Sequence, residues 1–207
     1  MENNDLTTEQ VILNAAEEEF LDKGYGNAKT VAIAKRAGVS HSMLHYYFRT
    51  KEKLFQMIFE KKIASLIQSF VVILDKDAPF EQMIRQLMEA QFNFVAKQPR
   101  LPIFVFNEIL QNKSNRDLVI ELLAPHISVI LGKIETKLNE EIEKGNVRPI
   151  SLINLMMNIL SLNISVFIAL PVLKDVMNIN SKKEVEKILA ERRENNVRFV
   201  FNALMIR

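Results

Sequence analysis

Apolar side chains return every three or four residues from Val11 onward, at Val11, Ile12, Ala15, Ala16, Phe20 and Leu21. That spacing draws them onto one face of a helix. Thr7 and Gln10 precede it at capping-box spacing, and Gly24 follows Lys23 where a glycine cap ends a helix. After a Tyr25-Gly26 turn, Thr30 reads as the N-cap of a short helix, Val31 to Ala37, closed by Gly38. Ser40 caps a second short helix, His41 to Tyr47, and Thr50 a long one from Lys51 to about Leu74. The same signals predict helices over Pro79 to Lys97, Leu101 to Gln111, Asp117 to Gly145 with a break or kink at Pro125, Ser151 to Leu170, and Lys182 to about Ile206. The strict two-residue alternation of strands is absent. The expected fold class is all-α.

The two short helices are joined by Ala37-Gly38-Val39-Ser40. A glycine at the bend, a Val39 packing inward and an Ala34 small enough for close crossing are what a helix-turn-helix requires. Charge singles out the same segment. Residues 23 to 62 carry nine Lys or Arg and two acids, a local balance of +7 in a chain of net charge +2. Residues 63 to 207 carry eighteen bases and sixteen acids. One early block therefore holds the basic excess, as a polyanion-binding face requires. The expected organisation is a DNA-binding domain over 1–50 and a larger helical ligand-binding and dimerisation domain over 51–207, joined rigidly through the Lys51 helix.

The stretch from Pro149 to Leu173 has no charged side chain and is long enough to cross a bilayer. Asn154, Asn158, Ser161 and Ser165 form one polar stripe along it, which is costly against lipid and suits a helix buried between protein surfaces. The last helix carries Val185, Ile188, Leu189, Val197, Val200, Phe201 and Leu204 on a broad apolar stripe. These two helices are expected to form a homodimer through a four-helix interface. The absence of cysteine excludes disulfides, thiolate metal sites and cysteine nucleophiles. With no H-E-x-x-H, no G-x-S-x-G and no phosphate-cradling glycine loop, no enzyme, cofactor or metal is expected. The N-terminal MENNDLTTEQ lacks the basic start and apolar core of an export signal, so a cytoplasmic location is expected.

Three ordered runs carry more. I-L-N-A-A-E-E-E-F-L-D-K-G-Y (12 to 25), T-V-A-I-A-K-R-A-G-V-S (30 to 40) and L-H-Y-Y-F-R-T-K-E-K-L (44 to 54) together resemble the DNA-binding domain of the TetR family of bacterial transcriptional regulators. The resemblance implies that His41 to Tyr47 is a recognition helix for the major groove, capped by Ser40. His41, Ser42, Met43, His45 and Tyr46 match positions that meet base edges and methyl groups. Thr30, Tyr47 and Lys51 match positions that hold phosphates, and Lys51 also opens a helix whose free N–H groups favour an anion. Ser42 stands where glycine is frequent and His45 where tyrosine is usual, so base preference does not carry over. The implied function is a repressor released from a palindromic DNA operator by a small-molecule effector. The alternative is an architectural DNA-binding protein without a ligand.

For that effector, Met83, Leu87, Phe94, Phe104 and Met157 are flexible or aromatic side chains suited to an adaptable cavity, with core packing as the competing reading of each. Gln91, Asn107, Glu108, His126 and Asn163 are polar groups within apolar runs, placed to orient a ligand. A carboxylate in the surroundings of Glu108 must be paired or neutralised, and a salt bridge to Arg100 or Arg116 is its structural alternative.

Overall fold

A computed structural model describes residues 7–74 and 78–206; residues 1–6, part of the stretch read above for an export signal, lie outside the described residues. Among the described residues nine helices follow one another: α1 (Thr8–Asn27), α2 (Thr30–Ala37), α3 (His41–Tyr47), α4 (Lys51–Leu74), α5 (Phe80–Lys97), α6 (Leu101–Gln111), α7 (Lys113–Glu143), α8 (Leu152–Val176) and α9 (Lys182–Leu204). They divide into two compact units, Met1–Ser65 with Ile103–Leu123, and Leu66–Pro102 with Ala124–Arg207.

In the first unit, the Thr7 hydroxyl accepts the Gln10 N–H at 3.2 Å and opens α1. The helix breaks at Gly24, whose φ of 73° is left-handed, before a last turn to Asn27. Thr30 is not the N-cap expected of it. Lys29 takes the cap position without a side-chain bond, and the Thr30 hydroxyl meets Nε2 of His41 at 3.0 Å instead. Gly38, also left-handed at φ 69°, lets the Gly38 and Val39 N–H groups return to the carbonyls of Lys35 and Ala34, which ends α2 sharply. The Ser40 hydroxyl accepts from Met43 N–H and starts α3, and the Thr50 hydroxyl accepts from Lys53 N–H at the start of α4.

Ile12, Ala16, Phe20, Ile33, Leu44, Phe48 and Leu54 form the buried floor on which these helices cross. Beside it lies an aromatic cluster. Phe55 meets Phe20 edge-on at 5.8 Å and stacks on Phe59 at 4.4 Å, and Phe104 of α6 closes on both, at 6.0 and 5.7 Å. Such pairs add roughly 0.5–1.5 kcal/mol each beyond the area they bury.

In the second unit, α5, α8 and α9 pack around one another, with Phe92 against Phe167 at 5.2 Å. Asn163 lies in the middle of this apolar contact, 1% exposed. Its Nδ2 donates to the Met88 carbonyl and to Gln91 Oε1, and Nδ2 of Asn196 donates to the Leu162 carbonyl and to Asn163 Oδ1. α7 begins at Lys113, four residues before the expected Asp117, because the Asn112 side chain accepts from Asn115 N–H and caps it there. α8 runs through Pro171 to Val176, past the expected end at Leu170. By length and composition α8 matches a bilayer-spanning helix. Here it buries Leu155, Ile159, Asn163, Phe167 and Leu170 and leaves Ile153, Met157, Leu160, Ile168 and Val172 exposed. Arg148 caps the far end of α9, its guanidinium donating to the carbonyls of Asn202 and Ala203.

Candidate nucleic-acid interface and effector residues

A seven-residue helix is too short to hold itself, so α3 stands on what lies beneath it. Leu44 is its one buried residue, and Phe48 follows directly. Every other side chain of α3 faces outward: His41, Ser42, Met43, His45, Tyr46 and Tyr47. Tyr46 is 82% exposed and crosses Tyr47 edge-on at 5.4 Å. Large aromatic and thioether groups left in solvent on a rigidly seated helix mark a surface built to be covered.

The charge around that surface is asymmetric. Arg36 pairs with Asp22 at 2.8 Å and Glu19 at 3.3 Å, and Lys62 pairs with Glu17 at 2.7 Å. The acids of α1 thus neutralise the side of the basic block that faces α1. Lys29, Lys35, Arg49 and Lys53 are exposed and project their charge outward.

Three polar arrangements hold the platform. Lys51 is half-buried, with Nζ donating to the carbonyls of Tyr25, Gly26 and Ala28 and lying 4.5 Å from the centre of the Tyr25 ring. The ammonium so clamps the chain between α1 and α2. Tyr25 donates its hydroxyl to Glu52 at 2.7 Å. Burial, and then this bond, pushes the Tyr25 phenol up, while the same bond holds the Glu52 carboxyl below its ordinary value. Glu108 of α6 is buried and accepts from Tyr25 N–H at 2.9 Å and from Asn115 Nδ2 at 2.8 Å. Arg116, one of its two expected partners, donates to the Ile109 carbonyl.

The His41 and His45 rings stand perpendicular, with Nε2 atoms 3.1 Å apart, and Nδ1 of His45 lies 3.2 Å from the Arg49 carbonyl. A chain of contacts so runs from Thr30 through both imidazoles to Arg49.

Residues 12–58 match the family model described as bacterial regulatory proteins, tetR family. Over this N-terminal segment the chain is similar to that family. Across 138 residues, 66% of this chain and 69% of the relative, it is 25% identical to the fatty acid metabolism regulator protein of Bacillus subtilis. Over 84 residues, 41% of this chain and 38% of the relative, it is 33% identical to the transcriptional activator FasR of Mycolicibacterium smegmatis. The fold matches that of FadR from Bacillus subtilis, solved in complex with stearoyl-CoA, with a TM-score of 0.67 and 18% identity over 93% of this chain and 97% of that one. The matched segment carries the helix-turn-helix of a DNA-binding transcriptional regulator.

The residues read as effector-binding fall into both units of this regulator. Met83, Leu87 and Gln91 are buried on α5, and Phe94 on the same helix is half-buried. Asn163 and Gln91 meet directly. Phe104 and Glu108 belong to the first unit, where they complete the aromatic cluster and hold Tyr25, and Asn107 beside them is exposed. His126 and Met157 are exposed on α7 and α8. The bond from Tyr25 to Glu108 escapes a reading of the sequence, because the two residues lie 83 positions apart. A lone carboxylate in an apolar run was its only signal.

Proposed function

We propose that this regulator is a homodimeric repressor that grips a palindromic operator with the α3 of each copy and releases it when a fatty acyl ligand enters the second unit. The observation that carries the DNA half is the outward face of α3, where six side chains, three of them Met or Tyr, stand on a helix anchored by Leu44. Two such helices reading successive major grooves lie about 34 Å apart, which favours a roughly palindromic site. Support for the dimer is the outer face of α8, with Ile153, Met157, Ile168 and Val172 exposed, together with Phe199 of α9. Covering those side chains with a second copy removes them from water.

Support for an acyl ligand, with a long-chain acyl-CoA thioester as its type, comes from the name of the Bacillus subtilis relative and from the stearoyl-CoA bound to FadR. Met83 and Leu87 are buried apolar side chains on α5, with Phe94 half-buried on the same helix, and the Gln91–Asn163–Asn196 amides are polar groups within the same packed unit; Asn196 Oδ1 is buried without a hydrogen-bond partner. Release runs through Glu108. Displacement of α6 pulls on Tyr25 N–H, and Lys51 carries the strain to the chain that leads into α2. About 1–3 kcal/mol of coupling suffices for a useful response. The site of action is the bacterial cytoplasm.

The test is selection from a random DNA pool at near-physiological salt, with the intact chain and Tyr46→Ala compared. Enrichment of one palindrome by the intact chain alone, and its release by stearoyl-CoA, is the expected result. Weak, salt-sensitive binding by both proteins overturns the operator reading in favour of an architectural role. Operator affinity unchanged by stearoyl-CoA overturns the effector class.

A further inference from the structure

His41 and His45 are one helical turn apart on α3, and both are exposed. Their Nε2 atoms are 3.1 Å apart. For metal–nitrogen bonds of roughly 2.0–2.1 Å, two cis ligands are separated by about 2.9 Å at a right angle and about 3.3 Å at the tetrahedral angle. The observed spacing falls between the two. The rings are perpendicular, with centroids 4.3 Å apart, so they do not stack face to face. His45 is also oriented from behind. Its Nδ1 lies 3.2 Å from the Arg49 carbonyl, which favours a proton on Nδ1 and leaves the Nε2 lone pair free. That is how proteins fix the tautomer of a metal-binding histidine. At His41 the same tautomer moves the ring proton to Nδ1 and frees Nε2, with the Thr30 hydroxyl giving up its contact there.

We propose that His41 and His45 form a two-point imidazole site on the recognition helix for a divalent transition ion of the Zn²⁺, Ni²⁺ or Cu²⁺ class. No group of three or more ligating side chains occurs among the described residues, so water completes the shell and the site is reversible. Imidazole ligation, with no carboxylate, selects against Mg²⁺ and Ca²⁺. The consequence rests on the DNA-binding reading above: an ion held by both rings takes two side chains of the recognition helix away from the groove and opposes DNA binding.

The test separates the two readings because its first half contains no DNA. Titration of the full chain with ZnCl2 by calorimetry, followed by imidazole nitrogen NMR, is expected to show one ion per chain. Both Nε2 resonances of His41 and His45 should shift, with His126 as the internal reference and MgCl2 producing no change. His41→Gln and His45→Gln should each weaken Zn²⁺ binding at least about tenfold, the lower end of what loss of a mere supporting group costs a metal site. Zn²⁺ binding that both variants retain, or Zn²⁺ binding without a shift at these imidazoles, overturns the site. In the second half, Zn²⁺ should lower affinity for a selected DNA sequence and EDTA should restore it. Occupancy of the site with DNA affinity unchanged overturns the antagonism alone.

Discussion

α3 and α8 both turn apolar side chains outward, yet they suit opposite surroundings. α3 is seven residues long, lies in the basic block, and shows Tyr46, Tyr47 and Met43 among imidazoles and hydroxyls. α8 is twenty-five residues long and has charge only at Lys174 and Asp175, near its end. Its outer face alternates Ile153, Met157 and Ile168 with Asn154, Asn158 and Ser161. Exposure alone does not name a partner; the charge that frames it does. A polyanion suits the first face and a second apolar helix the second.

Charge on the α8 face is the strongest way to break that contrast. In the proposed dimer, Ile153→Asp with Ile168→Asp buries unpaired carboxylates in each half of the interface, at a cost above about 3 kcal/mol. The expected outcome is a monomer in sedimentation velocity with unchanged helical circular dichroism, since both side chains are exposed in one copy. A variant that remains dimeric moves the interface off α8.

Tyr46→Ala is expected to weaken binding of a selected operator by about 2 kcal/mol, a typical loss for an aromatic anchor. Fluorescence anisotropy reads this loss. The melting temperature should stay where it was, because the ring touches little of its own domain besides Tyr47. Lys51→Ala sharpens the contrast from the other side. Three carbonyls lose their donor, so about 1.5 kcal/mol of stability should go, read by urea denaturation. A loss of DNA affinity with stability intact would instead assign this ammonium to phosphate.

The smallest effect concerns pH. The Glu52 carboxyl lies below its ordinary value when folded, so its stabilisation is present above the unfolded carboxylate range and is lost as pH falls through the folded value. Tyr25→Phe should cost about 1 kcal/mol at pH 7. In paired urea titrations at pH 7 and pH 3, that difference should shrink at the lower pH. An equal difference at both pH values removes Glu52 from the account.

Much of this was legible in the residues. Gly38, Ser40 and Thr50 act where turn and cap chemistry placed them, Gly24 breaks α1 but the helix resumes to Asn27 with Ala28 as its cap, and α3 and α6 have the bounds that periodicity gave. Misses came where a side chain chose a distant partner over a local one. Thr30 met His41 in place of its own helix, and Asn112, passed over in a polar run, capped α7 early. The outward face of α3 was readable because its exposed aromatics follow one after another in sequence. The bonds that the buried polar side chains make were less so: Gln91 with Asn163, and Glu108 with Tyr25, are bonds across more than seventy positions.

The amides of Gln91, Asn163 and Asn196 act as a key that admits one register. Sliding α8 along α5 by one turn, about 5.4 Å, would carry Asn163 away from the Met88 carbonyl and Gln91 together and leave buried amides unmet. A smooth shear between these helices is therefore closed to the protein. Any response that passes through α8 must carry α5 and α9 with it as one block, or break the key outright, which makes the second unit a latch and not a spring.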